Sequence, residues 1–316
     1  MNAEPIKKQN FEYKGDGTEF AILTFANWFL VLITIGIYSP WARTNTRKFL
    51  WSNTYFAGEK AHYSGTGEEL FWGWVKLWLI YFFGSIILAL AAFLMAFFPL
   101  GGLIANLAIY TLWTFIFALA TYAGTRYLLS RTQFRNMNFG VRLNVRQYLK
   151  SYFIGAFFTV VTLGIYYPFF AVEVRRMLTN HSRFGNKHFK FNGVGADYFR
   201  ICAIGYALTF LTLGFYYPWL KRNQWEFKAK NTQIENSRFD FELKGSDLLF
   251  FGIFSWILTI ATVGIAKPWL DNYYYKMMIN ATSLVGDLDL STIENIPSTG
   301  DAISDYLDSD LFSLDI

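Results

Sequence analysis

The chain has 316 residues, of which 21% are aromatic and 16% charged, where soluble domains carry roughly a quarter charged residues. The apolar residues come in blocks: 71–98 holds one charge, Lys76, and 103–125 holds none, which argues against a soluble globule and for an integral membrane protein. A single cysteine, Cys202, excludes an intrachain disulfide, and the net charge of +5 hides an acidic end with eight Asp and Glu and no Lys or Arg after Ala281.

Residues 1–18 are polar and precede an apolar run too long for a signal peptide, so the first span is expected to act as its own insertion signal. From Phe11 the chain reads FEYKGDGTEF, and related stretches begin at Ala61 (AHYSGTGEELF), Phe139 (FGVRLNVRQYL), Phe189 (FKFNGVGADYF) and Phe239 (FDFELKGSDLLF). Period-two alternation with aromatics predicts a short strand, and the glycines predict its turn. An acid follows in most copies (Glu19, Glu69, Asp197, Asp247), where it suits the N-terminus of the next helix.

Each apolar helix except those of the second unit then ends in one phrase. It reads TIGIYSPW at 34–41, TLGIYYPF at 162–169, TLGFYYPW at 212–219 and TVGIAKPW at 262–269, the last three prolines standing 50 residues apart. A polar, basic helix is predicted after each proline, which is tolerated at a helix start. It closes at Asn53, Asn180, Asn231 or Asn280, read as left-handed helix ends. The second unit lacks the phrase and has a second apolar run instead, after an uncharged turn at 99–102.

These elements predict an all-α multi-pass membrane protein. About six transmembrane helices (20–37, 70–98, 103–129, 151–167, 200–217 and 248–266) come from repeated units of about 50 residues, with short interfacial strands and amphipathic helices. Residues 1–286 form the repeat-built transmembrane domain and 287–316 an acidic, largely disordered tail, with room for a docking helix at 303–312. Full crossings put basic loops on both faces. Re-entrant segments would instead place every strand on one face, where the strands could pair; span length favours full crossings.

The phrase has two readings. Gly, aromatic, Pro and Trp fit a helix leaving the membrane through the interface. Alternatively Thr34, Gly36, Pro40, Trp41, Thr162, Gly164, Pro168, Thr212, Gly214, Pro218, Trp219, Thr262, Gly264, Pro268 and Trp269 act as hinges or line a central path, as broken helices do in transporters. The basic residues Arg43, Arg47, Arg126, Arg131, Arg135, Arg175, Arg176, Lys221 and Arg222 retain topology or contact anionic lipid headgroups. His62, His181 and His188 lack metal-ligand spacing. The Gly-x-Gly pairs lack a dinucleotide-binding context, and no nucleophile motif accompanies the acids. No catalytic residue, cofactor or metal is therefore expected.

The phrase, the Arg-rich helix ending in Asn and the FxFxGxGxE/D stretch together resemble the YjgN family of bacterial inner-membrane proteins, a group of unknown function, over residues 11–286. The resemblance implies a multi-pass bacterial inner-membrane protein and transfers no activity. The expected function is non-enzymatic: a transport-like passive channel or carrier of a small solute or lipid, or alternatively a membrane-organising, anionic-lipid-binding scaffold. The expected partner is the lipid bilayer and not nucleic acid. Homo-oligomerisation and a partner for the tail are left open.

Overall fold

The structure is a computed structural model describing residues 8–95, 97–98 and 100–295. Pro99 of the expected turn and the expected docking helix lie outside the described residues. The chain starts on strand β1 (Lys8–Tyr13) and runs out along helix α1 (Gly17–Ile33). It reverses, returns along α2 (Ser39–Ser52) and closes on β2 (Thr54–Phe56). The same order follows in β3 (Glu59–Tyr63), α3 (Gly67–Met95), α4 (Gly101–Arg131) and β4 (Thr132–Phe134). It continues in β5 (Met137–Val141), α5 (Val145–Val161), α6 (Tyr167–Asn180) and β6 (Ser182–Phe184). Next come β7 (Lys187–Phe191), α7 (Gly195–Leu211), α8 (Tyr217–Lys230) and β8 (Thr232–Ile234), then β9 (Ser237–Phe241), α9 (Gly245–Ala261), α10 (Lys267–Asn280) and β10 (Thr282–Val285).

The ten strands form one closed antiparallel barrel in which each strand pairs with its neighbours in the chain and β10 pairs with β1. Lys8 stands opposite Val285, and Phe11 opposite Phe56. Strands of three to six residues are marginal alone. Closure gives every strand two neighbours and leaves no open edge. Within the barrel wall the tight turns at 57–58, 135–136, 185–186 and 235–236 use left-handed backbone at Ala57, Arg135, Asn136, Gly185 and Glu235, as two-residue hairpins require. These turns occupy one end of the barrel, and all five helical hairpins leave from the other.

The helices form a closed ring. Each even-numbered helix packs on the first strand of the following unit, α10 on β1 included, and each odd-numbered helix packs between consecutive even-numbered ones. Most exposed apolar side chains belong to the odd-numbered helices and to α4.

The expected all-α six-span architecture is therefore corrected. Among the described residues only α3 and α4 are long and apolar enough to cross a membrane. The apolar stretches read as four further spans are 17-residue helices that reverse at the phrase. The expectation counted apolar length between charges and underweighted strand pairing. Amides of ten short strands are satisfied only if each hairpin returns the chain to the level at which it left. The expected strands are β1, β3, β5, β7 and β9; their partners β2, β4, β6 and β8 are only three residues long. The asparagines are not left-handed: Asn53 has φ −103° and Asn231 φ −92°. Asn180 and Asn280 instead accept the backbone N–H of Phe191 and Tyr13 through Oδ1, at 2.7 and 2.8 Å.

Candidate membrane interface

Each phrase builds the tip of a hairpin. At the end of α1 the amide of Ile35 donates to the Leu32 carbonyl (3.2 Å) and that of Gly36 to the Val31 carbonyl (2.8 Å), a Schellman ending. The same pair of bonds recurs at Leu163 and Gly164, at Leu213 and Gly214, and at Val263 and Gly264. The threonine before them joins the two helices. Thr34 Oγ1 donates to the Leu30 carbonyl (2.7 Å) and accepts the Tyr38 amide (3.0 Å), and Thr162, Thr212 and Thr262 repeat this with Phe158 and Tyr166, Leu208 and Tyr216, and Leu258 and Ala266. Those hydroxyls are occupied within the turn. Pro40, Pro168, Pro218 and Pro268 then sit in the first turn of the returning helix.

The tip residue is unusual for a turn. Ile35, Leu163, Leu213 and Val263 have φ of 49°, 51°, 50° and 50°, and their exposures are 93%, 93%, 92% and 90%. Left-handed backbone costs an L residue roughly 1–2 kcal/mol, and β-branched side chains are rare there. Gly36, Gly164, Gly214 and Gly264 follow in the same region. Each tip is thus a strained, solvent-accessible aliphatic residue flanked by further exposed apolar ones, such as Leu32, Ile33 and Ile37 or Phe210, Leu211 and Phe215.

At the base of the helices, each unit is locked to the next. The aromatic after the phrase proline lies against the first glycine of the following outgoing helix. An added Cβ on Gly67 would stand 2.5 Å from Trp41 Cγ, on Gly195 2.8 Å from Phe169 Cδ1, on Gly245 2.6 Å from Trp219 Cγ and on Gly17 3.2 Å from Trp269 Cδ1. The first glycine of each Gly-x-Gly pair clears the strand-end ring: Gly15 faces Tyr13, Gly65 faces Tyr63 and Gly193 faces Phe191. Both glycines therefore serve packing.

A second tie runs from the returning helix to the carbonyl two residues before the next helix. Asn272 Nδ2 donates to Gly15 (3.1 Å), Arg222 Nε to Leu243 (3.0 Å), Arg176 Nη2 to Gly193 (2.7 Å) and Tyr122 Oη to Leu143 (3.1 Å). A third position, seven residues after the proline, stacks on the last residue of the next strand: Arg47 over Tyr63, Arg175 over Phe191 and Trp225 beside Phe241.

Most of the sequence-predicted basic residues are thereby engaged within the protein. Arg131 is paired bidentately with Glu69, which also accepts the Tyr127 hydroxyl (3.0 Å). Arg176 and Arg222 bridge to Glu173 and Glu226. Lys221 lies over the Tyr217 ring. Arg135 pairs with Glu59 in a β-turn at the opposite end from the helices. Arg43 and Arg126 are half-buried on α2 and α4. Loss of hydration pushes the Arg175 guanidinium down to about 10. Lys48, Arg142, Arg146, Lys150 and Arg200 are among the more exposed cations near the helix bases.

The bore of the barrel is filled by aromatic rings. Phe11, Phe56, Phe134, Phe184, Phe139, Phe189 and Phe239 form a closed circuit with neighbouring centroids 4.5 to 6.4 Å apart. Ile234, Leu284 and Met137 join this core. At the β-turn end, residues after β10 close the mouth: Leu288, Leu290 and Ile293 pack onto the same cluster. Asn295 Oδ1 accepts the Asn138 amide (3.0 Å) and Asn186 Oδ1 that of Glu294 (3.3 Å). The first residues of the acidic tail thus belong to the barrel's packing.

The family described as bacterial protein of unknown function (DUF898) matches residues 8–193, 186–249 and 223–306. The chain belongs to this family. Two relatives are named inner membrane protein YjgN, from Escherichia coli O157:H7 and from E. coli strain K12. Each is 26% identical over 165 residues, covering 52% of this chain and 38% of the relative. A Salmonella typhimurium (strain LT2) protein of the same name is 30% identical over 69 residues, 22% of this chain and 18% of that one. The aligned part thus spans well under half the length of these relatives. No solved structure matches. The relatives support the bacterial inner membrane as the location of this DUF898 member.

Proposed function

We propose that this protein is a non-enzymatic membrane scaffold that organises lipid around a closed centre. The observation carrying this reading is the complete phenylalanine circuit across the bore, backed by Ile293. A solute path along the barrel axis would have to pass through packed rings. The helices around the centre present apolar surface outward, which suits acyl chains. Arg142, Arg146 and Lys150 stand exposed at the start of α5, where cations attract anionic headgroups. These residues fit headgroup contact better than Arg131, Arg135, Arg176 and Arg222, which already have protein partners.

The test is reconstitution of the full chain into vesicles of phosphatidylethanolamine and phosphatidylglycerol. We expect no solute leak above empty vesicles. We also expect co-purified anionic lipid that falls several-fold in an Arg142→Gln, Arg146→Gln, Lys150→Gln variant. A second reading, a gated passage, draws on the plug being made by Leu288, Leu290 and Ile293, just after β10. It requires solute flux to appear when residues 287–316 are removed. Flux through the intact protein, or unchanged lipid retention in the triple variant, would count against the scaffold.

A further inference from the structure

The four hairpin tips have a second property that architecture alone does not explain. A turn facing water is most cheaply built with glycine or asparagine at its left-handed position. Here that position is Ile, Leu, Leu and Val, each at least 90% exposed. The same choice is made four times, on hairpins whose outgoing helices are all 17 residues long. The tips therefore end at a common level around the ring.

We propose that α1–α2, α5–α6, α7–α8 and α9–α10 are re-entrant wedges whose tips lie in the acyl chains of a single leaflet. In this arrangement only α3–α4 crosses the bilayer, and the barrel stays wholly on one face. The occupant of the tips is lipid hydrocarbon. The inference rests on the membrane placement and not on the scaffold reading, since a channel could carry the same wedges.

Three independent markers give the same depth. First, α3 has 29 residues and α1 has 17, so the long hairpin reaches about 18 Å further at 1.5 Å per residue. With its end at the far boundary of a hydrocarbon layer about 30 Å thick, the short tips stop about 12 Å inside the near boundary. Second, Trp28, Tyr206 and Trp256 are exposed seven residues before the tip residue in α1, α7 and α9. That places an interfacial aromatic belt about 10 Å above the tips. Third, each outgoing helix is uncharged from its belt position to its tip, whereas the returning helices regain charge within about two turns at Arg43, Glu173, Lys221 and Lys267. Their long cations can reach back toward the near headgroups.

The topology is read with single cysteines in a Cys202→Ser background, using the full chain in right-side-out and inverted inner-membrane vesicles and a membrane-impermeant maleimide. Ala57→Cys and Glu235→Cys report the β-turns, Phe98→Cys the long hairpin's end, and Leu163→Cys and Leu213→Cys the tips. We expect the β-turn sites to label in one vesicle type only and Phe98→Cys only in the other. The tip sites should label at least tenfold less than these in both types, and fully once detergent is added. The detergent step shows that each variant carries a reactive thiol, and resistance of the vesicle-bound protein to alkaline carbonate extraction shows that it is inserted. Labelling of the tips from the Phe98 side would mean full crossings and overturn the proposal. Labelling from the β-turn side would mean tips in water and overturn it equally. A spin label at Leu213→Cys should collide more with oxygen than with a nickel chelate; the reverse order would also reject insertion.

Discussion

Trp269, in the last unit, lies with Cδ1 3.2 Å from where a Cβ would stand on Gly17, in the first. This contact closes the helical ring, as the pairing of β10 with β1 closes the barrel. Its equivalents are tighter: at Gly67 and Gly245 an added Cβ would fall 2.5 and 2.6 Å from an indole carbon. Gly67→Ala and Gly245→Ala should therefore each destabilise by about 1–3 kcal/mol through overpacking, and Gly17→Ala by less. Thermal unfolding in detergent gives the ranking, and a larger effect at Gly17 would contradict it.

The same junction carries a buried polar pair. Tyr13 Oη donates to Asn272 Oδ1 at 2.6 Å, and Asn272 Nδ2 returns a bond to the Gly15 carbonyl. Asn272→Leu should cost about 2–3 kcal/mol, because it orphans both the Tyr13 hydroxyl and that carbonyl. Tyr13→Phe removes one bond and should cost about 1 kcal/mol. The double variant should be less destabilised than the sum of the two, and strict additivity would show that the pair is not coupled.

Within the bore, Phe184 touches both Phe139 and Phe134 and is 3% exposed. Phe184→Ala should lower stability by about 3–5 kcal/mol. Because the circuit is continuous, Phe139→Ala should weaken the same cooperative transition instead of a separate one. Two resolved transitions in calorimetry would show that the barrel does not unfold as a unit.

Arg175 is the costly member of its layer. It stacks on Phe191, its Nε lacks a hydrogen-bond partner and loss of hydration draws its guanidinium down to about 10. The corresponding residues of the next two units are Trp225 and Tyr275. Arg175→Tyr should therefore be neutral or stabilising by up to about 2 kcal/mol, with the midpoint of thermal unfolding unchanged or raised. A clear fall would mean that the cation is required for structure.

Charge gives an expected orientation. The connection at 96–100, between α3 and α4, has no charged residue, and the Lys and Arg residues cluster toward the barrel. With the barrel on one face, as proposed for the wedges, the excess of cations on the cytoplasmic side of inner-membrane proteins predicts β-turns in the cytoplasm. Ala57→Cys should label in inverted vesicles and not in right-side-out ones.

Much of this architecture is visible in particular residues of the sequence. The alternating runs mark β1, β3, β5, β7 and β9, and Glu19, Glu69, Asp197 and Asp247 mark helix starts. The direction of the chain after each phrase is not visible. A Schellman ending followed by a proline-started helix is compatible with going on or turning back, and only long-range strand pairing decides between them. TYF, TQF, SRF and TQI are too short to show any period. The glycine–aromatic lock did leave a signal that reasoning passed over. The unit in which α4 lacks the phrase is followed by Val145, where the other outgoing helices begin with glycine, so both halves of the lock are lost together. The ties to Gly15, Leu243, Gly193 and Leu143 left none, because Asn, Arg, Arg and Tyr perform the same task from slightly different positions.

Barrel closure has a consequence for synthesis. Among the described strands β1 is the first to leave the ribosome and β10 the last, yet they are partners. Until residue 285 has been made, β1 has an unpaired edge. Closure of the barrel wall thus waits for one late step, the pairing of β10 with β1. A chain cut short after β8 would keep two open strand edges, at β1 and β8, each a template for pairing with another chain.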